Sequence, residues 1–316
     1  MNARRNKTLR LSVEEGKFWL DRCLRLSHRA ELGEVVNRTI VGDSFAILPL
    51  LPADSADLLI ADPPYNLDRE FHGTPFRHLS EEEYESYTAG WLELVRPLLK
   101  PTASLYVCCD WRCSAAVSRA LAKRFVIRNR ITWQREKGRG CRSNWKNAME
   151  DIWFATVSER FTFNIDAVML RRRVIAPYRV NGAPKGWEAT PAGNFRNTCP
   201  SNFWDDISIP YWSMAENTAH PTQKPEKLLA KLILASSNPG DLVLDPFAGS
   251  GSTAVTAKKL GRRFIGIEQN EQYCLWAEKR LENAETDPTI QGYSDGVFWE
   301  RNTAAWQKRS RNIAKR

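Results

Sequence analysis

An α/β fold, with a mostly parallel twisted sheet and helices on both faces, is the architecture predicted by this 316-residue sequence. Three observations carry it. Short apolar runs end near acids at Asp43, Asp62, Asp245 and Glu268, and each acid is followed by a turn and mostly by a helix-period stretch. That rhythm is the one of parallel strands joined by crossover helices. Leu242-Val243-Leu244 runs into Asp245-Pro-Phe247-Ala-Gly249-Ser250-Gly251-Ser-Thr253, a Gly-x-Gly turn that opens a helix. Glycine has no Cβ, so backbone N–H groups there can approach a ligand closely. Finally, the chain returns through an apolar run to Glu268, about twenty residues past the turn, where an acid can bond two ribose hydroxyls. With 42% apolar and 26% charged residues, the chain can bury one large core and carry a smaller inserted module.

Residues 1–36 read as a basic arm, with Arg4, Arg5, Lys7 and Arg10, leading into one amphipathic helix from Ser12 through Phe18, Leu20, Cys23, Leu24 and Leu26. Ser12 and Glu15 have the spacing of a capping box. Residues 37–135 form the first half of the main domain. A short strand ends in Gly42-Asp43, followed by a helix-like stretch over 45–51. The buried-type strand 57–61 then meets Asp62-Pro63-Pro64-Tyr65, whose prolines end it abruptly and stiffen the exit. Residues 66–80 are a polar loop that reads either as a segment ordering on substrate or as a plain surface loop. Tyr84, Tyr87, Trp91, Leu94, Val95 and Leu98 recur at helical spacing and read as core packing, with Pro101 as the stop. A strand over 103–109, a helix over 114–125 and a strand over 126–133 follow, the last completed by a strand over 151–156.

Residues 136–215 form a basic insert around that sheet strand. Thirteen Lys or Arg against six acids between 130 and 200 account for seven of the chain's nine excess positive charges. A local excess of this kind suits a face laid along a phosphate backbone. Residues 137–144 are Gly- and Arg-rich, and 181–197 are rich in Gly, Pro and Asn around Trp187. Residues 216–283 hold the glycine turn and form the second half of the domain. The tail, 284–316, contains Trp299, Trp306 and a basic end and receives no role.

The seven cysteines include no CxxC pair, and Cys108, Cys109 and Cys113 have no histidine or second cysteine pair at zinc spacing. They read as free thiols in a reducing cytosol, with no metal. The apolar runs are too short for a membrane span, and the N-terminus lacks the apolar segment of a signal peptide. A cytoplasmic protein without membrane contact is the expectation.

Chemistry concentrates at Asp62-Pro63-Pro64-Tyr65. A carboxylate, a carbonyl whose successor has no N–H, and an aromatic ring are the groups needed to hold a planar heterocycle bearing an exocyclic amine. Asp62 and the Pro63 carbonyl each accept one N–H, and Tyr65 stacks.

Asp62-Pro63-Pro64-Tyr65 together with Asp245-Pro-Phe247-Ala-Gly249-Ser250-Gly251 resembles the S-adenosyl-L-methionine-dependent amino-methyltransferases of DNA, in the circularly permuted beta-class order with the catalytic motif before the cofactor motif. His220-Pro-Thr222-Gln-Lys224-Pro225 resembles the family segment at the methionine end of the cofactor, and Gly42-Asp43 resembles the acid on its adenine amine. The resemblance covers residues 37–135 and 215–283. It implies a Rossmann-like methyltransferase fold with a small target-recognition insert. It also implies a cofactor site with Asp43 and the Ser44 amide on adenine, Glu268 on ribose, and Thr222 and Lys224 toward the carboxylate. Asp62, Asp245, Phe247, Gly249, Ser250, Gly251 and Thr253 complete that site.

The implied activity is methylation of the N6 amine of an adenine swung out of double-stranded DNA, in a restriction–modification or regulatory system, with Asp62, Pro63, Pro64 and Tyr65 as the catalytic residues. Methylation at cytosine C5 needs a Pro-Cys nucleophile, whereas Cys199-Pro200 has the reverse order. Cytosine-N4 methylation on the same fold, whose members usually carry Ser at the position of Asp62, methylation of RNA or protein by the same kind of site, and a non-catalytic DNA-binding subunit stay open as alternatives. A cognate restriction endonuclease and a homodimer stay open as partners.

Overall fold

The computed structural model describes residues 6–71, 74–135, 142–175, 178–190, 193–303 and 307. Eight strands make the central sheet: β1 (Arg38–Val41), β2 (Ala56–Ala61), β3 (Leu99–Cys109), β4 (Val126–Gln134), β5 (Met149–Thr156), β6 (Phe203–Trp204), β7 (Leu242–Asp245) and β8 (Arg263–Glu268). Their spatial order is β1-β8-β7-β2-β3-β5-β4-β6. Only β5 runs antiparallel to its neighbours, β3 and β4, and every other pairing is parallel.

Strands buried on both faces need apolar residues at successive positions, and β2 supplies them. Leu59 and Ala61 enter one core layer, with α1 (Glu81–Val95) and α2 (Ser114–Ala122). Leu58 and Ile60 enter the opposite layer, with α3 (Glu226–Ser236), α4 (Ser252–Lys259) and α5 (Glu271–Thr286). The helix starts follow local rules. Ser80 and Glu83 close a capping box on α1, whose first turn carries three acids toward the positive end of the helix dipole. Asn270 caps α5 by accepting from the Gln272 and Tyr273 amides. Residues of α3 are buried on every side, including Lys227 and Lys231, whose ammonium groups lie 2.7 and 2.6 Å from Asp206. No helix among the described residues is long and apolar enough to cross a membrane.

The structure differs from the sequence reading at four places. The Ser12–Glu15 capping box forms, with bonds of 2.9 and 3.2 Å, but the helix it opens spans only Lys17–Leu20. Leu24 leaves the helical path to bond with Thr39 and Val41 along the open edge of β1, so tertiary pairing outweighs local periodicity. Helix α1 ends at Val95 in a 3₁₀ turn holding Pro97, and Pro101 lies instead near the start of β3. The loop 66–80 contains a short hairpin, Arg69–Phe71 against Thr74–Phe76.

The fourth difference concerns the insert and the tail. Residues 188–190, 193–198 and 170–173 form a second sheet with Val297–Trp299 and Tyr293–Ser294, so the tail completes the insert's sheet. Arg171, counted toward a phosphate-facing surface, instead pairs with Glu188 at 2.8 Å and lies over the rings of Phe195 and Trp299. Within the basic stretches, residues 1–5, 136–141 and 308–316, together with Trp306, lie outside the described residues.

Candidate active site

Register brings the two motif-bearing strands side by side. Val243 pairs with Leu58 and Leu244 with Leu59, so Asp245 and Asp62 leave adjacent parallel strands at the same sheet edge. Ligand clefts in open α/β sheets form at that edge. Here a cavity of about 240 Å³ is lined by Asp43, Ser44, Asp62, Pro63, Pro64, Tyr65, Thr222, Lys224, Asp245, Phe247, Gly249, Ser250, Thr253 and Glu268. Of the site residues expected from sequence, Gly251 alone stands behind the wall.

The glycine turn is held from behind. Gly249 and Gly251 have φ of +52° and +74°, and a Cβ on Gly251 would lie 2.5 Å from that of Ala277 on α5. Gly251 therefore serves the close packing of α4 on α5. The buried Arg280 guanidinium donates to the Ser250 carbonyl at 2.7 Å and the Ser252 hydroxyl at 2.9 Å, and it pairs with Glu226 at 3.0 Å. Nothing in the sequence singles out Arg280 within an amphipathic helix. The Glu268 carboxylate accepts from the Gly249 amide at 2.9 Å and the Asn270 amide at 2.8 Å. Burial raises its pKa, and those amides oppose the shift.

Asp245 accepts from the Phe247 amide at 2.9 Å. Burial pushes its carboxyl up to about 7, with the charges of Asp62 and Glu268 adding to the effect. The Ser44 hydroxyl donates to the Pro246 carbonyl, tying the β1 and β7 turns together. Asp43 caps the short helix Ser44–Ile47 by accepting from the Phe45 amide at 2.7 Å. One wall is aromatic: Tyr87, read from sequence as core packing, lines the cavity with Phe45 and Phe76 at centroid distances of 5.6 Å. Phe247 meets Trp91 edge-on at 5.4 Å.

The other corner holds the catalytic motif in a network. The Tyr65 hydroxyl donates to Asp62 Oδ1 at 2.9 Å, and Lys224 Nζ lies 2.6 Å from Asp62 Oδ2. Tyr65 Oη is also 3.2 Å from Glu150 Oε2, which lies 3.3 Å from Lys224 Nζ, and Arg135 pairs with Glu150 Oε1. The Pro64 carbonyl accepts from Tyr84 at 2.9 Å.

Burial acts to lower the Lys224 pKa, but the charges of Asp62 and Glu150 outweigh it and hold the ammonium above its ordinary value. Burial also raises the Tyr65 pKa, reinforced by the same two acids, so its hydroxyl stays protonated. Lys224 was expected to point toward a cofactor carboxylate. In the structure its ammonium lies between Asp62 of the catalytic motif and the buried Glu150, and the residue lines the cavity.

Sequence reasoning missed Glu150 and Arg135, which belong to no motif, and Cys108, whose thiol lines the cavity. Burial pushes that thiol's pKa up, with Asp62 adding to the effect, so it is not a nucleophile. Among the described residues, no group of three His, Cys, Asp or Glu is placed to hold a metal ion.

The family described as DNA methylase (N6_N4_Mtase) matches residues 56–279. The chain is 36% identical over 263 residues to the DNA adenine methyltransferase YhdJ of Escherichia coli (strain K12), covering 80% of this chain and 85% of that protein. It is 33% identical over 249 residues to the type II methyltransferase M.HpaI of Haemophilus parainfluenzae, covering 78% and 74%. Among solved structures, the fold is shared with the cytosine-N4-specific PvuII DNA methyltransferase, at a TM-score of 0.58 and 21% identity over 79% of this chain and 90% of that one. It is shared also with the M1.HpyAVI–SAM complex, at 0.53 and 24% over 77% and 98%.

Proposed function

The chain belongs to the DNA methylase family, and from that membership we propose that it transfers the methyl group of S-adenosyl-L-methionine to the exocyclic N6 of an adenine flipped out of double-stranded DNA. The observation that carries this reading is the meeting of Asp62-Pro63-Pro64-Tyr65 and the Asp245 glycine turn at one cavity from adjacent strands. The adenine specificity named for YhdJ supports the choice of base.

The residues present suit the cofactor. Gly249 has positive φ, and a Cβ there would crowd the His220 ring at 3.1 Å, so the turn leaves its backbone bare toward the cavity. When bound, the cofactor supplies an electrophilic methyl group on a sulfonium centre. Asp43 and the Ser44 amide would hold its adenine, Glu268 its ribose and Thr222 its amino-acid end, with Asp245, Phe247, Gly249, Ser250 and Thr253 as walls.

The exocyclic amine is a weak nucleophile because its lone pair is delocalised into the ring. Asp62 and the Pro63 carbonyl, by accepting its two N–H bonds, draw the nitrogen toward a tetrahedral geometry, and Asp62 then takes the departing proton. Extruding the base costs a few kcal/mol, offset by stacking on Tyr65 and these hydrogen bonds. Alignment then supplies most of the rate. Residues 142–150 and 165–215, with the strands at 293–299, would read the target, and the naming of M.HpaI as a type II methyltransferase supports a place beside a restriction endonuclease.

The test is incubation of the protein with labelled cofactor and duplex DNA, followed by nucleoside analysis. N6-methyladenine is expected. N4-methylcytosine as the product, or unlabelled DNA, overturns the reading.

A further inference from the structure

We infer that Glu150 is a positioning residue, the acceptor to which Lys224 and the Tyr65 hydroxyl move when the target amine claims Asp62. The inference rests on the proposed adenine methylation and deepens it. It starts from an obstacle in the resting site. Both oxygens of Asp62 are engaged, Oδ1 by Tyr65 at 2.9 Å and Oδ2 by Lys224 at 2.6 Å. A carboxylate held this closely by an ammonium is a poor acceptor for a neutral amine and a poorer base for its departing proton. For Asp62 to accept from the amine, the lysine hydrogen bond must come off Oδ2.

Lys224 is 7% exposed, and leaving a carboxylate for nothing is strongly disfavoured for a buried cation. Glu150, 3% exposed on the antiparallel strand β5, removes that difficulty. Its Oε1 is committed to Arg135, while Oε2 lies 3.3 Å from Lys224 and 3.2 Å from the Tyr65 hydroxyl, the two groups that occupy Asp62. A shift of less than about 1 Å brings both within strong hydrogen-bond distance of Oε2. Two acids, Asp62 and Glu150, face two cations, Lys224 and Arg135, before and after the shift, so no charge is left unmatched. Lys224 and Glu150 thus form a switchable pair, and base entry selects which carboxylate the lysine serves.

The experiment uses full-length protein, with wild type, Glu150→Gln, Glu150→Asp, Lys224→Met and the double variant Glu150→Gln/Lys224→Met. Cofactor affinity is read by calorimetry, base extrusion by fluorescence of 2-aminopurine placed next to an unmodified target adenine, and kcat by methyl transfer. Glu150→Gln is expected to lower kcat and the 2-aminopurine signal by at least about tenfold, short of the 10²–10⁴ of a lost acid–base group, with cofactor affinity unchanged. Glu150→Asp is expected to fall between it and wild type. Because Glu150 acts mainly through Lys224, its loss is expected to matter much less in the Lys224→Met background. Native kcat and fluorescence in Glu150→Gln, or fully additive losses in the double variant, overturn the inference. Should Glu150→Gln not fold, a Glu150→Asp protein with wild-type kcat overturns it equally. A wild-type protein that leaves adenine unmethylated defeats the proposed function instead, so the two failures are told apart.

Discussion

Asp62 lies within hydrogen-bond reach of two partners in the resting site, so the effect of removing it is not simply the loss of an acceptor. Asp62→Ala is expected to lower the methyl-transfer rate by about 10²–10⁴-fold while leaving cofactor affinity unchanged, measured by single-turnover transfer and calorimetry. Near wild-type transfer would remove Asp62 from the mechanism.

Asp245 gives a pH prediction. Its pKa in the folded chain is raised to about 7 from 3.8, so over that interval the native state binds the proton that the unfolded state has lost. Stability therefore falls as pH rises through the window, by about 1 kcal/mol between pH 6 and 8, or a Tm decrease of about 2 °C. Thermal melts of ligand-free Asp245→Asn are expected to lack that part of the slope, and parallel pH curves for the two proteins would contradict the account. Asp62-Pro63-Pro64-Tyr65 was legible because its groups are contiguous in the chain. Glu150 was not, because it reaches the same corner from an antiparallel strand with no motif around it, and no spacing rule tells which wall of a cavity Lys224 will reach.

At the scale of elements, strands and helices of the central sheet were legible where apolar runs were long and bounded by Gly, Pro or acids, as at β2 and β7. Where the signal was one amphipathic stretch, as after Ser12, pairing of Leu24 with the edge of β1 overrode it. The glycine turn was read correctly as a turn, but Gly251 has a packing reason that sequence cannot disclose, namely Ala277 across the α4–α5 contact. Gly251→Ala is expected to destabilise the fold by about 1–3 kcal/mol and to weaken cofactor binding, seen as a lower urea midpoint and a raised Kd. An unchanged midpoint would mean that α5 yields to the added methyl group.

For the whole molecule, the tail is the main surprise. Phe298 and Trp299 are buried beside Leu170, Lys227 donates to the Trp299 carbonyl, and Arg301 bonds the Gln134 and Ile207 carbonyls at 2.7 and 2.6 Å. Charge and motif searches are blind to such a strap, because its strand Val297–Trp299 pairs with residues more than a hundred positions earlier. Ending the chain after Thr286 removes the buried Ile290, Phe298 and Trp299, worth about 1.5–3 kcal/mol each, and uncovers Leu170 and Leu234, so a loss on the order of 5 kcal/mol is expected in urea unfolding. A truncated protein as stable as the full chain would show the strap to be dispensable.

The sheet order also bears on synthesis. Strand β2 is made early, yet its neighbour β7 arrives some 180 residues later, and β1 pairs within the sheet only with β8. Emerging from the ribosome, the growing polypeptide therefore carries an apolar strand with one bare flank for most of its translation. Chaperone dependence and clumping of prematurely terminated products should peak for stops before position 242 and drop sharply once 268 has cleared the exit tunnel.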